Sequence, residues 1–214
     1  MIRTREVLSG ISYSLYVIFH PFKGFWNLKK EKRGNLPAAI VLLMLLVLVL
    51  MARSQITGWL FRIGEAANTN LLTVASSILL LFFLWCVSNW CITTLVDGEG
   101  NLRDIFIATA FSLTPLILIH IPMIALSHLF VLDESAFYFF FDTLSILWFV
   151  FLVLIGIMTT HQFTMSKTLV TVLIAIVGMA VMVIVALLFF ALIQQFINFC
   201  ILFLQEWNIR FFRN

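Results

Sequence analysis

Five long apolar runs constrain this chain more than any other feature of its sequence. They cover residues 36–52, 71–96, 105–131, 136–160 and 168–204, and short polar or charged stretches separate them. A helix needs about 20 apolar residues to cross a hydrocarbon core about 30 Å thick. The first run can gain a turn from residues 55–59, and the next three fit with some tilt. The pattern predicts an all-α polytopic membrane helix bundle with about five transmembrane helices.

The composition supports a membrane protein and argues against a soluble domain. Hydrophobic residues make up 63% of the chain, charged residues 11%, and the mean hydropathy is +1.11. Soluble domains have roughly 45–50% apolar and about 25% charged residues. The cysteines Cys86, Cys91 and Cys200 lie inside apolar runs without the spacing of a disulfide framework or a zinc site. No metal or cofactor is therefore expected.

The fifth run is too long for one span, because its 37 residues would form a helix about 55 Å long. Gln194, Gln195 and Asn198 interrupt it. We interpret it as a span over residues 168–190, a segment over 191–204 that lies at the interface, and an extracytoplasmic tail over 205–214. A single helix that projects from the bilayer is the alternative, and the sequence leaves both open.

Lysine and arginine predict the orientation, because short cytoplasmic loops carry an excess of them. In a five-span chain, nine fall on the side of the N-terminus: Arg3, Arg5, Lys23, Lys29, Lys30, Lys32, Arg33, Arg103 and Lys167. Four fall on the other side: Arg53, Arg62, Arg210 and Arg213. The N-terminus is expected in the cytoplasm and the C-terminus outside.

Residues 1–35 are predicted to form a cytoplasmic segment that touches the membrane. Leu8, Ile11, Leu15, Ile18 and Phe22 recur at steps of three and four, which is typical of one apolar helical face. This pattern favours an amphipathic helix lying flat on the inner leaflet, ending near Pro21.

Aromatic and basic residues follow, and each cation near an anionic leaflet contributes about 1 kcal/mol of binding. The predicted lipid or partner interface consists of His20, Pro21, Phe22, Lys23, Phe25, Trp26, Lys29, Lys30, Lys32 and Arg33. An ordinary membrane anchor and a docking surface for a partner are both compatible with it.

Polar residues within the runs are the candidates for chemistry. Asp142 is the only acidic residue well inside a predicted span, and His120 and His128 lie in the third run. Ionisable groups at membrane depth are costly, so they suggest either a proton or ion relay or a structural polar pair. Asn89 with Ser88 is a second polar step, interpreted as an interhelical hydrogen bond. Gln194 and Asn198 are compatible with a contact to another subunit, with a cavity lining or, as the favoured interpretation, with the outer membrane boundary.

Small residues and prolines predict helix packing. The packing positions are Ala108, Ser112, Pro115, Pro122 and Gly156. Small residues let helices approach closely in lipid. Each proline removes a helix hydrogen bond and bends the third span, and Ser112 or Thr114 can satisfy a freed carbonyl.

Two blocks of sequence carry specific motifs. The first block is DGEGNLRDIF at 97–106, with ATAF at 108–111 and Pro115. The second is YSLY at 13–16, HPFKGFW at 20–26 and EKRG at 31–34. The first block resembles the Yip family, the Ypt-interacting five-span membrane proteins of the Golgi and of bacteria, and the second is similar to a bacterial subgroup often encoded beside carbohydrate ABC importers. The resemblance implies a non-enzymatic accessory role. The long cytoplasmic region of eukaryotic members is shortened here to about 35 residues, which argues against transferring small-GTPase binding.

No pattern in the chain indicates an enzyme or a nucleic-acid-binding protein. The glycine turn at 97–100 lacks the lysine of a phosphate loop, and no Ser/His/Asp arrangement is apparent. The leading hypothesis is an accessory subunit or scaffold of a membrane transport complex, with membrane lipids and ABC permease subunits as partners. The alternatives are an independent transporter or channel that uses Asp142 and His120, and a lipid-organising membrane protein.

Overall fold

The computed structural model of the chain describes residues 2–31, 34–57, 70–130 and 134–212. These residues form eight α-helices: α1 (Ile2–Phe19), α2 (Pro21–Lys30), α3 (Leu36–Ile56), α4 (Leu71–Leu95), α5 (Leu102–Ser112), α6 (Thr114–Leu126), α7 (Ser135–His161) and α8 (Met165–Phe212). Lys32, Arg33, Arg62 and Arg213 lie outside the described residues.

Five apolar helical stretches are long enough to cross a membrane, which confirms the predicted all-α bundle. They are Leu36–Ile56, Leu71–Leu95, Leu102–Leu126, Ser135–His161 and Met165–Glu206. We call the end of the bundle where α2 lies beside residues 96–101 the hairpin end, and the other end the distal end.

The third apolar stretch, α5 with α6, forms the centre of the bundle. Its most apolar window is 67% buried, whereas the corresponding window of α8 is 6% buried. Helices α3 and α7 both contact α5 and α6. Ile105 and Phe111 are fully buried among Leu42 and Leu152. The residues of this central helix are therefore placed by protein contacts rather than by lipid.

A break at Leu113 divides the predicted third span into α5 and α6. Pro115 cannot donate to the carbonyl oxygen of Phe111, and the Thr114 hydroxyl donates to that oxygen instead at 2.7 Å. The Ser112 hydroxyl likewise donates to the carbonyl oxygen of Ala108 at 2.8 Å. The sequence predicted this bend and named both hydroxyl groups, and Thr114 is the one that satisfies the carbonyl oxygen freed by Pro115. Pro122 lies inside α6 and is exposed.

Helices α1 and α2 form an N-terminal hairpin that packs against the bundle. Gly10 lies so close to α3 that a Cβ there would be 2.5 Å from the Cβ of Ala38. Gly24 approaches Val17 in the same way, with 3.0 Å between its would-be Cβ and the Cα of Val17. Small residues therefore form much of the buried face of α1, at Gly10, Ser14 and Val17.

The predicted flat apolar face is correct only in part. Leu8, Leu15 and Phe22 are exposed, as a lipid-facing helix requires, whereas Ile18 is buried. The periodicity identified a helix, but it did not identify the small-residue face that docks it.

Helix α8 continues without a break through Gln194, Gln195 and Asn198 for 48 residues, or about 72 Å. Its first part packs on α4, where the Ser88 hydroxyl donates to the carbonyl oxygen of Ala175 at 2.6 Å. From Val183 to Phe199 every described residue is exposed. Residues 191–204 therefore belong to one continuous helix, as in the single-helix alternative, while its projection from the bilayer stays a prediction.

Candidate functional site

An ionic cluster joins three helices near the distal end. Arg53 of α3 donates from Nη1 to Oδ1 of Asp142 in α7 at 2.8 Å. The same Oδ1 is 3.1 Å from Nε2 of His120 in α6, and Arg53 also contacts His120. Arg53 and Asp142 have side chains 26% and 24% exposed, and His120 is buried. We call these three residues the distal cluster.

Hydrogen bonding constrains the proton positions in the distal cluster. His120 Nδ1 lies 2.6 Å from the carbonyl oxygen of Leu116, which can only accept, so Nδ1 carries a proton. Nε2 then either accepts from Arg53 or, when protonated, donates to Asp142. The buried Tyr138 hydroxyl is a further hydrogen-bond partner of Arg53. A carboxylate with an arginine counter-charge is a stable pair at membrane depth.

The structure brings together two of the three residues predicted for a relay and adds one. Asp142 and His120 are in contact, whereas His128 is exposed near the end of α6 and is not part of the distal cluster. Arg53 counts toward the outer charges in the orientation prediction, but the structure places it in the distal cluster. Two features of the sequence could have identified Arg53. It lies one turn before the end of the apolar helix α3, and Asp142 is a lone acidic residue in the apolar helix α7.

The glycine turn at the hairpin end encloses the ring of His161. A Cβ on Gly98 would lie 2.5 Å from His161 Nδ1, and a Cβ on Gly100 would lie 2.7 Å from His161 Cε1. The Gly100 N–H donates to Nδ1 at 3.2 Å, so a neutral His161 carries its proton on Nε2. Phe163 stacks on the ring at 5.4 Å between centroids. The two glycines are needed because an imidazole fills the space of their side chains.

Two lysines at the hairpin end form contacts between helices that are distant in the sequence. Lys29 Nζ in α2 donates to the carbonyl oxygen of Thr160 at 2.6 Å and pairs with Glu99 at 3.3 Å. Lys167 Nζ donates to the carbonyl oxygen of Val96 at 2.9 Å. Cations interact favourably with the carbonyl oxygens at helix C-termini, and Thr160 and Val96 lie at the C-terminal ends of α7 and α4. Lys29 thus holds the N-terminal hairpin on the bundle.

A cavity of about 440 Å³ lies between α2, α5 and the end of α7. Lys29, Glu99, Arg103 and Asp104 supply two charges of each sign to its wall. Asp104 is already engaged, since it forms a capping box with Asn101 at the start of α5. Balanced charge at an open surface is more typical of a polar protein contact than of an anion site.

The predicted interface residues of the N-terminal hairpin separate into exposed and inward positions. His20, Phe22, Lys23, Trp26 and Lys30 are exposed, and Lys30 lies 5.4 Å from the centroid of the Trp26 ring.

The prediction that Phe25 lies at the lipid or partner interface is wrong, because this residue is 1% exposed. It packs beside Gly156 of α7, where a Cβ would be 3.3 Å from its ring. Lys29 is engaged with the bundle, and Pro21 begins α2. Lys32 and Arg33 lie outside the described residues.

The predicted packing residues lie mostly where the helices meet. Ala108, Ser112, Pro115 and Gly156 are buried, and a Cβ on Gly156 would lie 3.6 Å from that of Ala108. Pro122 is exposed and is therefore not a packing position.

The remaining predicted polar residues differ in their surroundings. Asn89 is fully buried in α4, and its side-chain amide has no hydrogen-bond partner among the residues that the structure describes. The interhelical hydrogen bond predicted for Asn89 with Ser88 is confirmed for Ser88, which donates to Ala175 of α8, whereas Asn89 makes none among the described residues. Gln194 and Asn198 are exposed on α8.

Replacing Gly100 with alanine is expected to destabilise the chain by about 1–3 kcal/mol, because the new methyl group overlaps the His161 ring and the Thr160 methyl group. Thermal unfolding in detergent measures the loss. Combining Gly100→Ala with His161→Ala should cost less than the sum of the two single changes, since the second removes part of the overlap. A strictly additive result would contradict this packing.

These features define a polytopic helical membrane protein with a docked N-terminal hairpin. The chain belongs to the Yip1 domain family, whose model matches residues 15–204. No curated protein and no solved structure matched the chain. The match begins inside α1, covers α2, the glycine turn and the first four apolar stretches, and ends two residues before the end of the fifth.

Proposed function

We propose that this protein is a non-enzymatic accessory subunit or scaffold of a membrane transport complex in a bacterial plasma membrane. A carbohydrate ABC importer is the proposed complex. The observation that supports this role is the long exposed surface of α8, since a transport partner would cover it. The carbohydrate assignment rests on the resemblance of residues 13–34 and 97–115 to the bacterial subgroup, and not on a site in the fold.

The length of α8 makes a partner physically reasonable. Its apolar part, Met165–Glu206, has 42 residues and would be about 63 Å long as a helix. A hydrocarbon core is about 30 Å thick, and tilts above about 40° are rare. A helix that is hydrophobic on all sides is normally buried in protein or in lipid. The part that extends beyond the core therefore needs another apolar surface.

One side of this extension is aromatic. Phe189, Phe196 and Phe203 recur at steps of seven, share a face and are all exposed. Aromatic residues are enriched at the centres of protein interfaces. We assign the permease contact to this Phe face.

The hairpin end provides a second contact in the proposed complex. Exposed Lys23, Trp26 and Lys30 lie on the outer side of α2, whereas the cavity of mixed charge lies on its inner side. A cytoplasmic position for this end agrees with the cation count. Because Arg53 pairs with Asp142 inside the bundle, the opposing loops and tail retain three of the four cations assigned to that side.

Co-purification in a mild detergent tests the proposal. Affinity capture of the full chain is expected to recover permease subunits of an importer. Changing Phe189, Phe196 and Phe203 together to alanine should reduce that recovery at least several-fold, because the contact loses its aromatic side chains. Recovery of the chain alone, under conditions that keep the importer intact, would overturn the proposal.

The matched control lies on the other side of α8. Leu187 and Ile201 are also exposed and lie roughly opposite the Phe face. Changing both to alanine should leave the recovery unchanged. An equal loss from both sets would indicate general destabilisation of α8 and would contradict the assigned face.

An independent transporter is the second candidate, and the contact between His120 and Asp142 at 3.1 Å favours it. Flux into liposomes that contain the purified chain, abolished by Asp142→Asn and unchanged by His128→Asn, would support this function. The arginine partner of Asp142 argues for a structural pair, so no flux is the expected result.

A further inference from the structure

The N-terminal hairpin extends along the side of the bundle, as two contacts between α2 and α7 show. The ring of Phe25 lies 3.3 Å from the position of a Cβ on Gly156. One turn later, Lys29 Nζ donates to the carbonyl oxygen of Thr160 at 2.6 Å. The residues of each pair are 131 positions apart in the sequence. Helix α2 therefore runs parallel to the last turns of α7 in a constant register.

This register places the start of α2 inside the membrane. Pro21 is level with Leu152, which is nine residues, or about 14 Å, from the end of α7 at His161. Helix α7 has 27 residues and is about 40 Å long, so a hydrocarbon core about 30 Å thick leaves about 5 Å of it outside at each end. The start of α2 therefore lies about 9 Å inside the hydrocarbon, whereas its end at Lys30 lies at the membrane surface.

Helix α1 follows the same course in the opposite direction. Gly10 lies against Ala38, two residues after the start of α3 and thus at the hairpin end. Val17, two turns later, is fully buried and lies against Gly24 of α2. Helix α1 also contacts α6, which begins at Thr114, about 18 Å from the start of the third apolar stretch. Both helices therefore extend from the hairpin end to a turn over residues 19–22, which we call the apex.

The backbone of the apex suits a hydrocarbon environment, because a single residue, His20, connects the two helices. The His20 N–H donates to the carbonyl oxygen of Tyr16 at 2.9 Å, and the Gly24 N–H donates to that of His20 at 2.7 Å. Pro21 has no N–H group to satisfy. Unsatisfied backbone groups are costly in lipid, and a turn of this kind contains no loop that would expose a series of them.

The side chains around the apex suit the same environment. Phe19 and Phe22 are 74% and 56% exposed, and Leu15, one turn before Phe19, is 45% exposed. At this depth the outside of a membrane-spanning bundle faces lipid chains. An amphipathic helix that lies flat on a leaflet would explain the exposed apolar side chains, but it would not explain the contacts of α1 with α6 and of α2 with α7.

The polar side of the hairpin remains connected to the membrane surface. A groove of about 480 Å³ between α1 and α2 is lined by polar side chains, namely Ser9, Ser12, Tyr13, Tyr16 and Asn27. The ring of His20 stacks on that of Tyr16, with 4.7 Å between their centroids. Lys23 is exposed about 6 Å inside the hydrocarbon in this register, and a lysine side chain is long enough to bring its ammonium group towards the headgroups. Water and headgroups can therefore solvate this side while the apolar side contacts lipid chains.

We propose that the N-terminal hairpin is a re-entrant element, whose apex lies in the hydrocarbon of the leaflet at the hairpin end and contacts lipid acyl chains. The free ends of the hairpin stay at the membrane surface. This lipid contact is independent of the proposed transport complex and of the Phe face on α8.

Spin-label depth measurements on the full chain test the insertion, in liposomes of phosphatidylethanolamine and phosphatidylglycerol. Leu8, Leu15 and Phe19 share one exposed face of α1 and are each changed to cysteine in turn. The chain carries Cys91→Ser and Cys200→Ser, whereas buried Cys86 is kept. Phe19 lies about 16 Å further along α1 than Leu8. Accessibility to oxygen relative to a water-soluble nickel chelate should therefore rise from Leu8 to Phe19, several-fold in total.

Two reference positions calibrate the depth. Lys30→Cys marks the surface end of α2, and Leu118→Cys marks an exposed position within α6. The label at Phe19 is expected to resemble that at Leu118, and the label at Leu8 to resemble that at Lys30. Equal depth at Leu8, Leu15 and Phe19 would show a helix lying flat, and high nickel access at all three would show a helix in water. Either result would overturn the proposal.

A pair of acidic substitutions provides a second readout. Phe19→Asp puts a carboxylate at the apex, where hydrocarbon disfavours it, and should raise the rate of proteolysis near the start of α3 several-fold in liposomes. Ser12→Asp adds the same charge on the polar side of α1 and should leave that rate unchanged. Equal rates in the two variants would contradict an apex in hydrocarbon. The labelled positions are all exposed, so the depth series does not depend on a change to the protein core.

Discussion

The Asp142→Ala variant is expected to unfold about 6–12 °C below the unaltered protein in a thermal scan in detergent. Arg53 loses its carboxylate partner at 2.8 Å and remains about three-quarters buried, with His120 and Tyr138 as its remaining partners among the residues that the structure describes. Removing one member of a buried ion pair costs about 3–5 kcal/mol. We take about 3 kcal/mol because the pair is partly exposed, and 1 kcal/mol shifts the Tm of a chain of this length by about 2–4 °C.

The double variant distinguishes a buried charge from a lost contact. Replacing Arg53 with Met and Asp142 with Leu removes both charges and should restore most of the lost stability, because apolar pairs often substitute for buried ion pairs. Arg103→Ala is the control for loss of an exposed cation, and it should shift the Tm little. A double variant less stable than Asp142→Ala would contradict this account of the distal cluster.

The Phe25→Ala variant is expected to lose about 3–5 kcal/mol of stability, which is the usual cost of removing a fully buried phenylalanine. Phe25 is the largest side chain that the N-terminal hairpin buries, and it packs against Gly156 of α7. Its loss should release α2 from the bundle. Thermal unfolding measures the first effect, and limited proteolysis near the start of α3 measures the second.

Phe22 provides the matched control, since it lies one turn away on the same helix and is 56% exposed. Phe22→Ala should leave the Tm within a few degrees and the proteolysis pattern unchanged, while it lowers binding of the chain to anionic liposomes. Equal destabilisation by the two changes would mean that Phe25 is not the residue that docks α2.

The length and hydrophobicity of the apolar runs were sufficient to predict the five membrane-length helices. The predicted 71–96 and 136–160 correspond closely to α4 (Leu71–Leu95) and α7 (Ser135–His161). Apolar length determines this result because a bilayer has one thickness. The bend near Pro115 was predictable for an equally local reason, the missing proline N–H.

Which side of a helix meets protein was not predictable in the N-terminal hairpin. Phe22 and Phe25 have the same chemistry and lie in the same short segment, yet one is exposed and the other is in the core. Lipid and protein interiors are both apolar, so hydrophobicity does not separate them in a membrane. The separating signal is the small residue opposite, Gly156, whose position beside Phe25 depends on the tertiary fold.

The charged and polar contacts were also not predictable, because their partners are far apart in the sequence. Arg53 and Asp142 are separated by 89 positions, and Gly100 and His161 by 61. The glycines of the turn were recognised as a family pattern, but the reason for them is the enclosed His161 ring, which depends on the packing of the end of α7 against the turn between α4 and α5. The continuity of α8 was left open because Gln194 and Asn198 are compatible both with a break and with an uninterrupted helix.

The unbroken course of α8 has a mechanical consequence. Each residue advances an α-helix by about 1.5 Å and rotates it by about 100°. Deleting seven residues between Phe190 and Phe203 would therefore draw the far end about 10 Å closer to the bundle with almost the same heading. Deleting two would turn that end to the opposite side at nearly constant distance. The length of the deletion can thus change separately the distance from the bundle, and the direction in space, of a partner bound to the far end of α8.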